Sequence, residues 1–431
     1  MSLARRILSL AVVLSPLGCG GGSTPGGVAG AAGTTGAAGA SGAAGVIGAA
    51  GATGTVGGTG LAGEGGAGMS GGAGDTGIAG STGNDASTTD ATNDGPATTT
   101  EGGTDGAAPT LDANIVALMR RVADNFLRNP DMAKDWISGS GWTGIMATYQ
   151  LTHDPKYLNA IKTWAGPGWT LANGAASRGD NQCAAQTYFD AYLSDPTPAN
   201  MVMLNGAKPS YDQLVANPPK GRVEWWWEDA LFMVPAGFAR LGKATGDNRY
   251  FTVLDGMWWD TYAFLFNVNA GLMYRDDQHR NEFWARGNGW VIAGTARVLQ
   301  YLPADDPKRA DYVKMLDAMA AALTKAQGTD GMWRSNLLNP NQFPNKETSG
   351  SGFNTFGIAW GINNGVLDRA TYLPVVKKAW TGLLTVVDAN GMVGWVQGVG
   401  AGPGGATAGS TAPFGVGAWL LAASEMAKLA P

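Results

Sequence analysis

The sequence predicts an all-α fold from about Ala113 onward: six helical hairpins closed on themselves as an (α/α)6 barrel. Two observations carry this reading. Apolar residues recur with a 3.6-residue period through Asn114–Phe126, Ala230–Leu241, Val291–Leu302, Tyr312–Ala326 and Phe414–Leu429, and no convincing alternating strand stands among them. A turn signal also recurs between the runs, spaced by roughly 40 to 60 residues, the length of a helical hairpin with its loop.

That signal reads His153-Asp154-Pro155-Lys156-Tyr157, then Ser194-Asp195-Pro196, then Thr245-Gly246-Asp247-Asn248-Arg249-Tyr250. It returns as Asp305-Asp306-Pro307 ahead of Tyr312, and as Leu367-Asp368-Arg369-Ala370-Thr371-Tyr372. Asp accepts the free amide hydrogens of a helix start, Pro suits the first turn, and the Tyr packs one turn later. About six hairpins fit into the segment. An open helical solenoid is the competing architecture.

Composition divides the chain. All 16 Trp, 11 Tyr and 12 Phe lie after Pro109, in a segment long enough to bury one large core. Residues 1–19 read as an export signal: Arg5 and Arg6, the apolar run Ile7–Leu14, then small residues. The ending Pro16-Leu17-Gly18-Cys19 resembles a bacterial lipoprotein site, so a lipid anchor at Cys19 is the one membrane attachment expected, with ordinary signal cleavage as the alternative. Residues 20–109 read as a tether rich in Gly, Ala and Thr. Gly stands at every third position from Gly27 to Gly66 and again from Gly71 to Gly83, a collagen-like period with no Pro inside it. Without imino acids the segment is expected to be a flexible chain reaching about 50 Å. Residues 110–431 form the expected folded domain.

Charge and residue counts narrow the chemistry. A net charge of -5 offers no case for a nucleic-acid partner. Two Cys and two His leave too few thiolate or imidazole ligands for a metal centre, and no cofactor is expected. His153 sits in a turn and His279 among loop charges, both reading as solvated. Acid–base chemistry therefore falls to carboxylates.

The candidate chemistry lies in the inter-helix loops. Glu224-Trp225-Trp226-Trp227-Glu228-Asp229 opens a helix expected to continue through Leu231, Phe232, Met233 and Pro235, and the string Asn281 to Trp290 opens another. Aromatic faces stack on sugar C–H surfaces, and Arg holds a carboxylate in two hydrogen bonds, so this mixture suits a sugar cleft. The bland reading makes the Trp residues core and Asp229 a helix cap. Asp180 stands at a further helix entrance, after Arg178 and Gly179. The strings holding Trp333 and Glu347 look like later cleft loops. Asp276 and Asp277 form a neighbouring pair that suits an ordinary glycosidase, or two solvated loop acids.

The strings WWWEDALFMVP (225–235), TGDNRY (245–250), GLMYRDD (271–277), FWARGNGW (283–290), DGMWRS (330–335), ETSGSG (347–352) and FGVGAWLLA (414–422) occur in this order. Together they resemble glycoside hydrolase family 105, the unsaturated rhamnogalacturonyl hydrolases, close to family 88. The resemblance covers nearly all of the folded segment and implies the same (α/α)6 barrel. It places the general acid/base on Asp229 and a second cleft carboxylate, which positions the sugar, on Asp180. It puts Trp227 at the pocket border and Trp284, Arg286 and Trp290 around the uronate subsite. Arg275 stands where the rhamnogalacturonan-acting members carry His, which leaves ulvan-like and other uronate-containing oligosaccharides open as substrates.

The implied reaction removes a 4,5-unsaturated uronic acid from the non-reducing end of an oligosaccharide made by a lyase. It needs Asp229 to begin protonated, and burial against Trp225–Trp227 would raise its pKa. Two rivals are an inverting glycosidase using two carboxylates and a non-catalytic glycan-binding surface lipoprotein.

Overall fold

The computed structural model describes residues 110–172 and 179–429. These residues fall within the second of two units, Thr98–Pro431. The export segment with Cys19, the Gly-period run up to residue 109, and Arg178 lie outside the described residues.

Twelve helices of nine or more residues occur among the described residues: α1 (Ala113–Arg128), α2 (Trp136–Thr152), α3 (Pro155–Ala165), α4 (Ala185–Ser194), α5 (Lys208–Ala216) and α6 (Pro235–Thr245), followed by α7 (Arg249–Leu265), α8 (Ala285–Leu299), α9 (Arg309–Ala326), α10 (Thr348–Asn363), α11 (Arg369–Leu384) and α12 (Pro413–Met426). The turn signals act as expected at several joints. Asp154 caps α3 with Pro155 as its first residue, Gly246 closes α6 in the left-handed region, and Asp368 accepts from the Thr371 N–H. Tyr157 and Tyr312 are fully buried one turn later.

The even-numbered helices form an inner ring. α2 packs on α4, α4 on α6, α6 on α8, α8 on α10, α10 on α12, and α12 on α2. That last contact closes the ring, so the fold is an (α/α)6 toroid and not an open solenoid. The odd-numbered helices lie outside, with α3, α7, α9 and α11 each on the inner helix before it and α1 on α12.

Burial separates the two rings as their sequences require. α1 fully buries only Met119, Val122 and Ala123, one stripe of an amphipathic helix. Every residue of α8 is buried, as befits a helix surrounded by others. Glycine brings the inner helices close together. A Cβ at Gly417 would lie 2.0 Å from the Ser140 carbonyl oxygen, and one at Gly350 would lie 2.6 Å from the Ala285 backbone.

Two departures from the expected elements shape the site. The run Ala230–Leu241 is not one helix: a single turn, Ala230–Met233, ends at Val234, and α6 restarts at Pro235. Pro235 has no N–H to continue the ladder, and its ring would crowd the carbonyl four residues back. The Gln186 side chain serves this break, donating from Nε2 to the Phe232 and Met233 carbonyls at 2.8 and 3.3 Å. A two-residue hairpin, β1 (Phe266–Asn267) with β2 (Leu272–Met273), follows α7 and leads into Arg275. Strands this short leave no alternation to read.

Candidate active site

The segments entering the inner helices build one cavity of about 540 Å³. Trp136 is the first residue of α2, and Asp180 sits in the Gly179–Gln182 turn ahead of α4. Trp226, Trp227 and Asp229 precede the turn that leads to α6, Arg275 lies on the approach to α8, and Val399 and Gly400 lie on the approach to α12. N-terminal ends of inner helices thus converge on the cavity. Gly179 fits this crowding, since a Cβ there would come within 3.3 Å of the Trp227 ring.

Asp229 begins the short turn Ala230–Met233 but makes no side-chain cap bond, which removes the helix-cap reading. It is 7% exposed, and its Oδ1 has no hydrogen-bond partner. Burial pushes its carboxyl up to about 6. Arg275 and Arg286 pull it down, while Asp180 and Asp276 push it further up. A carboxylic acid that stays protonated near pH 6 inside a sugar-sized cavity is equipped to donate a proton.

Arg275 is the cation among the described lining residues. Its guanidinium lies over Trp226, 5.4 Å from the ring centroid, and bonds Asp276. The expectation of two solvated acids at 276 and 277 is corrected here. Asp277 is exposed and pairs with Arg280, but Asp276 is buried and accepts from Arg275, the Gln278 and His279 amides, and the His279 ring. These partners hold the Asp276 carboxyl below the usual range against its burial. His279 is therefore a structural partner of the Arg275 loop, while His153 is the exposed left-handed cap of α2.

Glu228, beside Asp229, is fully buried, and its Oε1 has no partner. Burial, with the Asp229 charge beside it, raises its pKa well above the usual carboxylate range. Asn288 donates to its Oε2 at 3.2 Å, and Gly287 leaves it room, because a Cβ there would sit 1.7 Å from Oε1.

Five expected sugar-binding side chains do not reach the cavity. Trp284, Arg286, Trp290 and Trp333 are 0% exposed and Glu347 is 1% exposed. Trp290 is buried against Phe232 and Phe353, at 4.8 and 4.2 Å between centroids. Trp333 packs below, its Nε1 donating to the Leu323 carbonyl. Glu347 caps α10, accepting from the Ser349 and Gly350 amides, and also accepts from the Gln397 amide. Trp284 donates to the Gln397 side chain at 2.9 Å. Arg286, held between the Trp284 and Phe414 rings, donates to the Gln397 and Gly398 carbonyls at 2.7 and 2.9 Å. These residues fix the segment whose next two residues, Val399 and Gly400, form the cavity wall. Trp136, Val399 and Gly400 were not singled out from sequence. The Gly-rich string around 399 marks a loop, and Asp135 marks a helix start, but neither says which side faces a sugar.

An (α/α)6 toroid with a buried carboxyl of raised pKa beside Trp faces in one cavity suits a carbohydrate-active hydrolase. The chain belongs to Glycosyl Hydrolase Family 88, which its residues 116–430 match. It is 34% identical over 319 residues to an "Unsaturated 3S-rhamnoglycuronyl hydrolase" of Formosa agariphila, covering 68% of this chain and 85% of that one. Among solved structures, a family 88 glycosyl hydrolase from Bacteroides vulgatus is 30% identical, with a TM-score of 0.68 over 74% of this chain and 99% of that one. A protein described as a polysaccharide lyase is 33% identical with the same TM-score, over 74% and 97%. The chain is a glycoside hydrolase.

Proposed function

We propose that this hydrolase removes a 4,5-unsaturated uronic acid from the non-reducing end of oligosaccharides left by a polysaccharide lyase. The observation that carries the reading is Asp229: a buried carboxyl with one unpartnered oxygen, held protonated to about pH 6, in a cavity with Arg275. Arg275 receives the uronate carboxylate. Asp229 gives its proton to C4 of the vinyl ether, and positive charge develops at C5 and the ring oxygen. Water adds at C5 while the Asp229 carboxylate takes up its proton, restoring the acid. The resulting hemiketal opens and releases the neighbouring sugar. Asp180, in the same cavity, raises the Asp229 pKa by its charge and orients the ring.

Turnover of an unsaturated uronyl disaccharide in heavy water tests this. The enol absorbance should fall and one deuterium should appear at C4 of the opened product. A conventional inverting glycosidase would leave C4 unlabelled, and a lyase acting on intact polymer would make the absorbance rise. Either result overturns the reading.

A further inference from the structure

The cavity wall at Val399 and Gly400 belongs to a segment with no backbone support of its own. Among the described residues, none from Gly398 to Ala406 makes a backbone–backbone hydrogen bond. Five of the eight residues 398–405 are Gly, whose backbone loses the most freedom when it is ordered. Side chains must therefore set the shape of the loop. Arg286 reaches the Gln397 and Gly398 carbonyls at its entrance, and Asn345 Nδ2 donates to the Ala406 carbonyl at its exit, at 3.3 Å.

Between those ends the loop rests on one buried amide. Gln397 is 4% exposed, and its Oε1 accepts from Trp284 Nε1 at 2.9 Å and from Ser335 Oγ at 2.7 Å. Its Nε2 donates to the Gly402 carbonyl at 2.8 Å, five residues ahead, which closes Gly398–Gly402 into a ring. Ser335 Oγ extends the closure by accepting from the Gly404 N–H at 2.8 Å. The backbone lies directly on the amide, since a Cβ at Gly404 would come within 2.9 Å of Gln397 Nε2.

We infer that Gln397 is a positioning residue for the reaction: by closing the Gly398–Gly402 loop it holds Val399 and Gly400 as a formed cavity wall, so that substrate binding does not have to order them. The inference rests on the reading above for the substrate that meets this wall. Gln397 takes no part in the proton transfer.

Gln397→Glu separates the two ends of the amide. The introduced carboxylate still accepts from Trp284 and Ser335, but it turns a charge toward the Gly402 carbonyl where the amide had a donor. Once protonated, it has a donor for that carbonyl again. Glu347 and Arg286 face this position from the starts of α10 and α8, and Glu282 lies beside Gly402. Burial and the two carboxylates favour the neutral form as pH falls.

The experiment measures full-chain kinetics on an unsaturated uronyl disaccharide at about pH 5 and pH 8, with hydrogen exchange of the Gly398–Gly404 amides in parallel. At the higher pH, Gln397→Glu should raise KM by roughly five- to thirtyfold, the effect of a buried hydrogen bond replaced by a repulsive contact. Its kcat should change by less than about threefold, because only binding is touched. At the lower pH, the ratio of variant to wild-type KM should fall toward one, and the exchange rates should follow it. Ser335→Ala should give a smaller KM increase with no pH dependence in the ratio. A wild-type KM at the higher pH, or a ratio that does not move with pH, overturns the inference. Loss of kcat and melting temperature at unchanged KM overturns it too, leaving Gln397 as a support of the fold. Where Gln397→Glu does not fold, an unchanged KM in Ser335→Ala is the overturning result. No turnover by the wild type overturns the uronide reading alone, and loop exchange at the two pH values then decides whether Gln397 holds the wall.

Discussion

Two buried aspartates belong to the same inner ring and live in opposite surroundings. Asp190, in α4, is 2% exposed and saturated with partners: Arg240 Nε reaches Oδ1 at 2.7 Å, an Arg297 terminal nitrogen reaches Oδ2 at 2.9 Å, and the Tyr301 hydroxyl adds a third bond. Asp229 is nearly as buried, yet one oxygen has no partner and the nearby guanidinium of Arg286 is spent on backbone carbonyls. Burial alone therefore does not make a proton donor. A buried carboxyl is held toward its neutral form where the fold withholds the compensating bonds, it can pass that proton on only where it faces a cavity, and it becomes an ion-pair partner where the fold supplies them.

The largest test of that contrast is Asp229→Asn, which keeps size and loses the proton. Turnover should fall by about 10²–10⁴-fold, or roughly 3–5 kcal/mol of transition-state stabilisation. The same variant should be more stable than wild type above pH 6. The folded-state pKa of about 6 lies above the ordinary carboxylate value, so the native protein binds the extra proton between about pH 4 and 6 and loses stability as pH rises through that window. The loss is on the order of 2–3 kcal/mol, and it is absent from the Asn variant. Melting curves at pH 4 and pH 8 check this, and parallel pH dependence in both proteins would break the comparison.

Asp190→Asn should do the reverse. Two buried guanidinium groups lose their counter-charge, which costs about 3–5 kcal/mol in urea unfolding, while kcat per folded molecule stays within a few-fold of wild type. A variant that unfolds normally but turns over slowly would mean that Asp190 serves the chemistry. The smallest effect is expected for Arg286→Lys. Loss of the planar fork on the Gln397 and Gly398 carbonyls should cost about 1–2 kcal/mol and raise KM a few-fold as the cavity wall loosens. A KM increase of several hundred-fold would place that side chain on the sugar itself.

The toroid was legible because its joints are chemical. Asp154, Gly246 and Asp368 act locally, and local chemistry can be read from local sequence. That Asp229 lies in the cavity was legible on another ground, its place after three Trp and its match to a family motif. Which Trp lines the cavity was not. Periodicity identifies the buried face of an outer helix such as α1, but every residue of α8 is buried, so nothing in its pattern separates Trp290 in the core from a residue on the cavity wall. The break at Val234 was obscured because Ala230–Ala239 carries no polar side chain, and the continuous run hid what Pro235 does. The buried state of Asp276 depends on Arg275 and His279 folding back over it, a tertiary arrangement with no sequence period.

Pro235 also divides cooperativity. A continuous helix from Asp229 to Thr245 would open and close as one unit, whereas a single turn followed by a fresh start can fluctuate without unravelling α6. What keeps the turn aimed is a latch from behind: Gln186 grips the Phe232 and Met233 carbonyls with its amide nitrogen, and its amide oxygen accepts from Arg297, which in turn grips Asp190. The saturated aspartate thus holds the guanidinium behind the latch, while the amide alone grips the turn that carries the unsaturated one. The angle at which the acid meets carbon can be retuned by changing the latch, with every sugar-facing residue left as it is.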